Sequence, residues 1–341
     1  MGGAVIVPNG FLLIACALIL LPRFVPAASR RLIFATRFSA DRWCEYLLHS
    51  IQKEGVNVKK IYACLDTASH SASVCDYAAW AADRLGAPLH LLRLMDERLV
   101  QPVIEAGVST LAFEAQDGFL QQQQDHWRQA RDLALDYGTH LLAAARSRVT
   151  AAYTLNQACT EQQGGLIGLL PTMETEAQLV VAGQHHFSGE ASGGSVDVMT
   201  VSALRTLQCP LLVCNASFRP VSGFVLAFDG LLKGCNTVET VAGSALLRSA
   251  KCHLVMAVQD RENAREKMDW ARTTLESSGF DVTSAIVAGE PQAVLHDYVA
   301  SNPVDLLVMG AYSRGRDHQH VAGSTIAAML RTAAVSCLVV R

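Results

Sequence analysis

The chain of 341 residues contains an internal repeat, and this repeat constrains its architecture more than any single motif does. One block extends from residue 59 to Cys214 and the other from Val221 to Arg341. The segment Asn215–Pro220 between them is polar and ends in proline, as is typical of an exposed linker. We therefore expect two domains, residues 59–214 and 221–341, each large enough to bury its own core.

The two blocks share one succession of patterns. An apolar strand that ends in aspartate opens each of them, at Ile61–Asp66 and at Phe224–Asp229. An amphipathic helix and a second strand follow, and a later apolar run closes on glycine, at Gly183 or Gly310. A further helix and a final strand complete the block. The alternation predicts an α/β fold with two tandem, doubly wound, open parallel sheets that carry helices on both faces.

Three segments lie outside the repeat pattern. Residues 1–28 include a nearly uncharged apolar stretch with three open interpretations: a membrane anchor with the domains facing the cytoplasm, a cleaved signal, or a start assigned too far upstream. Residues 29–58 form an N-terminal extension with a predicted helix at Ala40–Lys53. Between Glu97 and His126 the first block carries an insertion, which we expect to be a loop and a helix extension.

Composition argues against several functions. The formal net charge is −3 and the 28 Lys and Arg residues are scattered, so no nucleic-acid partner is expected. The 10 cysteines show no CxxC pair or zinc spacing, which predicts buried, reduced thiols in a cytoplasmic protein and no metal site. We find no nucleophile triad and no P-loop sequence, and therefore assign no catalytic residue.

The second block ends in a strand, a loop and a helix that begins at Ser324. The unpaired first-turn amides and the positive dipole end of such a helix attract an anion. Gly310 and Gly323 allow close approach of the backbone to phosphate oxygens, and the hydroxyls of Ser313, Ser324 and Thr325 add donors. The segment therefore predicts a phosphate-binding loop.

In this loop the chain resembles the universal stress protein family. Nucleotide-binding members carry a glycine, two residues, a glycine, nine residues, and then glycine with serine or threonine. Gly310, the nine-residue interval 314–322 and Gly323-Ser324 fit, whereas Ser313 replaces the second glycine. Serine at a positive φ angle carries a steric cost that glycine avoids, so the replacement weakens the expected ATP binding.

The resemblance covers residues 59–341 and implies roles for individual residues. Asp229 meets adenosine, Val258 lines the adenine pocket, and residues 310–325 take the phosphates of ATP or another adenine nucleotide, with Mg²⁺ accompanying it. Ala227, Met309 and Ala311 are further backbone or wall contacts. The family pairs through its last strands, so we expect Pro210–Cys214 and Cys337–Arg341 to meet within the chain, with a homodimer as a further assembly.

The first block departs further from the family pattern. His186 replaces its second glycine and only seven residues precede Gly194, while Glu190 and Asp197 bring negative charge to the loop. We expect this domain to be mainly a structural partner of the second. Its weak or vestigial site comprises Asp66, Gly183, Gly194 and Ser195.

The leading function is that of a stress-response regulator that binds an adenine nucleotide in the second domain and acts on a regulatory protein partner. It is expected not to be an enzyme, and any ATP hydrolysis is slow. One alternative is a nucleotide-independent interaction or scaffold protein of the same fold, supported by Ser313. A further alternative is an adenine-nucleotide-dependent transferase, for which only Arg314 and Arg316 offer phosphate-binding charge.

Overall fold

The computed structural model describes residues 59–65, 70–95, 113–152, 159–184, 207–258, 264–311 and 324–341. All of these belong to one compact unit, Val58–Arg341. Residues 1–28 and the extension with the predicted helix at 40–53 lie outside the described ranges. Within those ranges, no helix is both long and apolar enough to cross a membrane.

Helices and strands alternate through both halves of the unit. The first half contains β1 (Lys60–Leu65), α1 (Ser71–Leu85), β2 (Leu89–Met95), α2 (Phe113–Ala152), β3 (Cys159–Gly165), α3 (Leu166–Glu176), β4 (Ala177–Gly183) and β5 (Leu211–Cys214). The second half contains β6 (Gly223–Ala227), α4 (Leu232–Gly243), β7 (Lys251–Val258), α5 (Ala264–Ser277), β8 (Val282–Ala288), α6 (Pro291–Ser301), β9 (Leu306–Gly310), α7 (Ser324–Thr332) and β10 (Ser336–Val340).

The strands form one ten-stranded sheet in the order β3-β2-β1-β4-β5-β10-β9-β6-β7-β8. Neighbours within each half are parallel, which confirms the predicted doubly wound α/β architecture. The halves meet at β5 and β10, which pair antiparallel with Leu338 opposite Leu212. Contact between these two strands is as expected from the sequence. The second half repeats the strand order of the first, so the halves are related by a pseudo-twofold axis at this pair.

Side chains alternate between two buried layers, one on each face of the sheet. Ile61, Ala63 and Leu65 of β1 face the first layer, which includes side chains of α1, α2, α4 and α5. The second layer includes side chains of α3, α6 and α7. Of the eight cysteines in the described ranges, six are buried in these layers, among them Cys214 and Cys337, whereas Cys159 and Cys235 are only partly buried; all eight are free.

Each half has one more strand than the sequence repeat predicts. These additional strands, β3 and β8, are the outer edges of the sheet. Thr160, Glu161 and Gln162 in β3 are exposed, as are Thr283 and Ser284 in β8. Edge strands that are covered incompletely carry polar residues, and no apolar run marks them in the sequence. In the first half, the predicted helix extension is part of α2, a helix of 40 residues.

Candidate functional site

A recess is formed where strands β6, β7 and β9 end at the carboxyl edge of the sheet. Ala227, the last residue of β6, pairs with Val255 of β7, and β7 continues three residues farther to Val258. At about 3.3 Å per residue, β7 extends about 10 Å beyond the end of β6. On the other side, Leu226 pairs with Val308, so that β9 also continues past β6 to Gly310. The short central strand therefore lies at the bottom of a recess.

The recess coincides with the point at which the winding of the sheet reverses. From β6 the chain proceeds outward to β7 and β8, and then returns to β9 on the opposite side of β6. Helix α4 follows β6 and packs in the first layer, whereas α7 follows β9 and packs in the second. Because α7 connects the parallel strands β9 and β10, it begins at their carboxyl edge. Open α/β sheets bind ligands at such a reversal.

Asp229 lies in the turn between β6 and α4, two residues after the strand ends. The Phe228 amide still donates to the Val255 carbonyl at 2.9 Å. The Asp229 Oδ1 atom then accepts the amide hydrogen of Leu231 at 2.9 Å, an Asx turn that orients the carboxylate. Gly230 between them has a φ angle of +68°, which favours glycine. Within the described part of the chain, the second carboxylate oxygen has no hydrogen bond, so it is free to accept one from a ligand.

Gly234, one turn into α4, leaves room for this carboxylate. A Cβ atom at this position would overlap Oδ1 of Asp229 and would lie 3.2 Å from the Phe228 ring. Lys267 of α5 covers the turn from the other side, because its Cδ atom lies 2.9 Å from the position of a Cβ on Gly230. The turn that holds the carboxylate is thus packed on two sides and has a positive charge next to it.

Gly310 has a structural role that the sequence does not reveal. A Cβ on this residue would lie 2.6 Å from Oγ1 of Thr237, a side chain of α4 that is only 3% exposed. The Thr237 hydroxyl donates to the Lys233 carbonyl at 3.1 Å within the helix. Gly310 therefore allows α4 to pack directly against β9, in addition to any role in approaching a phosphate.

The other predicted contacts of the second half lie around the recess but are largely buried. Val258 packs in the first layer and its carbonyl accepts the Gly289 amide at 3.2 Å. Met309 and Ala311 pack in the second layer, and Ala227 is half-buried. These residues therefore offer a ligand mainly backbone atoms.

The structure describes the helical end of the predicted phosphate loop but not its middle. The start of α7 at Ser324 is as predicted, and the backbone of Ser324 and Thr325 forms its first turn. Ser313 and Gly323 lie outside the described residues, so the expected strain at Ser313 stays a prediction. One face of this helix is buried in the second layer through Ile326, Met329 and Leu330.

The corresponding edge of the first half is described only in part. Gly183 ends β4 and is buried, and the amide of Gln184 donates to the Cys214 carbonyl at 2.8 Å. In the second half, the amide of Ala311 donates to the Val340 carbonyl at 2.7 Å. Gln184 and Ala311 are thus equivalent under the pseudo-twofold axis. Asp66, Gly194 and Ser195 lie outside the described residues.

The sequence pattern of the universal stress protein family matches residues 57–215 and again residues 237–341. The chain belongs to the universal stress protein family. The two matches, one in each half of the sheet, are consistent with tandem family domains. The universal stress protein Slr1230 of Synechocystis sp. is 24% identical over 287 residues, which cover 83% of this chain and 100% of that protein.

The solved structures show the same fold. A universal stress protein from Archaeoglobus fulgidus superimposes with a TM-score of 0.55 at 14% identity. The superposition covers 83% of this chain and 98% of the archaeal chain. Similarity of fold therefore extends through both halves of the sheet.

Proposed function

We propose that this universal stress protein binds ATP or a related adenine nucleotide in the recess of its second half, and that the bound state regulates a protein partner. The observation that carries the proposal is the position of Asp229. Its oriented carboxylate lies at the reversal of the sheet winding, next to the edge where α7 begins. One end of the recess thus offers an acceptor for hydroxyl or amino groups, and the other offers amides for an anion.

The two ends suit the two ends of a nucleotide. The carboxylate of Asp229 accepts hydrogen bonds from the adenosine part, and β7, which extends beyond β6, supplies one wall. The first-turn amides of α7 face the phosphates, whose charge is favoured by the positive end of the helix dipole. Mg²⁺ would accompany ATP through the phosphates themselves, because Mg²⁺ is commonly held by substrate phosphates together with water.

A nucleotide-independent interaction protein remains the second candidate, and one group of observations favours it. The close packing of Thr237 accounts for glycine at position 310, and burial in the core accounts for the apolar side chains of Val258 and Met309, without any ligand. Beside the recess, Leu232 is 81% exposed and Trp270 is 39% exposed. Apolar side chains that project from the surface suit contact with another protein.

A titration of the full-length chain with MgATP in a calorimeter separates the two candidates. Asp229→Ala is compared with Asp66→Ala, the matched aspartate of the first repeat. Loss of a hydrogen bond to a carboxylate weakens binding by about 1.5–3 kcal/mol, or roughly 10- to 150-fold. We expect that loss for Asp229→Ala alone. Absence of heat with the wild-type chain would favour the interaction protein, and equal loss in both variants would contradict a site confined to the second half.

A further inference from the structure

Helix α7 is too short to hold its position by itself. It has nine residues, which corresponds to a length of about 14 Å. Isolated helices below about 12 residues are unstable in water, so packing and contacts at the ends must supply the stability. The buried face of Ile326, Met329 and Leu330 provides the packing. The chain that leaves α7 for β10 is held by the other half of the protein.

Two amide side chains, one in the first half and one at the start of the linker that follows it, bind the residues that directly follow α7. The Nε2 atom of Gln184 donates to the Ala333 carbonyl at 3.1 Å. The Nδ2 atom of Asn215 donates to the Ala334 carbonyl at 2.8 Å. Gln184 follows β4 and Asn215 follows β5, so both donors come from across the β5–β10 junction.

Both donors are themselves fixed to the first half or to the junction. The backbone amide of Gln184 donates to the Cys214 carbonyl. The backbone amide of Asn215 donates to Oγ of Ser336 at 3.1 Å, and its backbone carbonyl accepts a hydrogen bond from the Ser73 hydroxyl at 2.5 Å. The two side chains therefore hold the end of α7 from a rigid support.

The hydrogen bond from the Gln184 side chain has no counterpart at the equivalent position of the second half. Ala311 occupies the equivalent position in the second half and has no side-chain donor, although its backbone bond is the same. The first half therefore holds a helix of the second half through a side chain that the second half lacks at that position. Gln184 is also the residue at which the altered loop of the first half begins.

We propose that Gln184 and Asn215 are positioning residues for the nucleotide site of the second half. By fixing the end of α7, they set the position of its first turn, whose amides face the phosphates. The first half then contributes to nucleotide binding without binding a nucleotide itself. This inference rests on the proposed function, because it names the residues that support the same site from a distance.

The test uses three substitutions of Gln184 in the full-length chain. Gln184→Met keeps the length but removes the donor, Gln184→Glu places an oxygen against the Ala333 carbonyl, and Gln184→Lys retains a donor. The matched control is Asn302→Ala, since the Nδ2 atom of Asn302 donates to the Tyr298 carbonyl at 2.9 Å at the end of α6. Each variant is measured for the Kd of MgATP, for hydrogen exchange of the α7 amides, and for stability in urea.

Gln184→Met is expected to raise the Kd and the exchange rate of the α7 amides by about three- to tenfold, the effect of one lost hydrogen bond. Gln184→Glu is expected to raise both further, and Gln184→Lys to stay near wild type. Asn302→Ala is expected to lower stability without changing the Kd, which separates positioning from general destabilisation. An unchanged Kd in a Gln184→Met protein that binds ATP would overturn the proposal.

The exchange measurement keeps this inference distinct from the proposed function. If the wild-type chain binds no ATP, the proposed function fails, and the positioning of α7 is decided by exchange alone. Faster exchange confined to residues 324–332 in Gln184→Met supports the positioning. Exchange equal to wild type in that variant overturns it.

Discussion

Replacement of Gly310 by alanine tests the contact between β9 and α4. The new Cβ would lie 2.6 Å from Oγ1 of Thr237, whereas ordinary contact begins near 3.4 Å, so about 0.8 Å (3.4 − 2.6) must be recovered. Thr237 is almost fully buried, and it cannot retreat without moving α4. Overpacking of this kind costs about 1–3 kcal/mol, and we expect Gly310→Ala to lower the free energy of unfolding by that amount.

A double-mutant cycle with Thr237→Ala identifies the cause. The single variant Thr237→Ala loses its hydroxyl bond to Lys233 and some buried contact, at about 1 kcal/mol. In the double variant, the Cβ of residue 310 enters the space that the hydroxyl leaves. The loss should therefore be smaller than the sum of the two single losses, by about 1–2 kcal/mol. Urea unfolding followed by tryptophan fluorescence measures all four proteins.

Additivity within about 0.5 kcal/mol would refute this explanation, because it would mean that Thr237 does not constrain position 310. The double variant also separates the two roles of Gly310. Its Cβ points toward α4 in the first layer, whereas α7 packs in the second layer. We therefore expect the double variant to bind MgATP within about threefold of wild type, a difference of about 0.6 kcal/mol.

Three further results are expected. Burial lowers the pKa of His90 and of His253 below the ordinary value of 6.5, so the unfolded chain binds protons first as the pH falls. The free energy of unfolding measured in urea should therefore decrease as the pH falls below that value. A flat profile between pH values of about 8 and 5.5 would contradict this. Gly234→Ala should raise the Kd of MgATP about tenfold or more by displacing the carboxylate it contacts, and an unchanged Kd would show that the carboxylate is not used. A thiol reagent should modify the half-buried Cys235 well before Cys337, whose burial raises its pKa to about 12.

The inner strands could be predicted from the sequence and the edge strands could not. β4 and β9 are covered on both faces, so that continuously apolar residues mark them. In β3 and β8, polar residues on exposed faces conceal the strand from the same criterion. The sequence also places Asp229 at the end of a strand, whereas β6 ends at Ala227 and the aspartate belongs to an Asx turn. Strand propensity does not reveal that local hydrogen bond.

The sequence indicates which edge of the sheet carries the candidate residues, but it does not reveal what supports them. Matching strand ends and a helix start bring the site residues to one edge of the sheet, which follows from parallel topology alone. A glycine in a sequence does not show which neighbour comes close to it, and the neighbour of Gly310 is Thr237 of α4. Gln184 and Asn215 contact residues more than 100 positions away, and these contacts depend on how the two halves pair.

The most direct test for an adenine nucleotide in the second half is chemical identification of what the protein carries. Full-length protein is purified without added nucleotide and denatured, and the released small molecules are identified by mass spectrometry. The thermal shift with millimolar MgATP is measured on the same preparation. We expect an adenine nucleotide or a thermal shift for the wild-type chain and for Asp66→Ala, and less nucleotide and a smaller shift for Asp229→Ala. A wild-type chain that releases no nucleotide and shows no shift would contradict the proposed function.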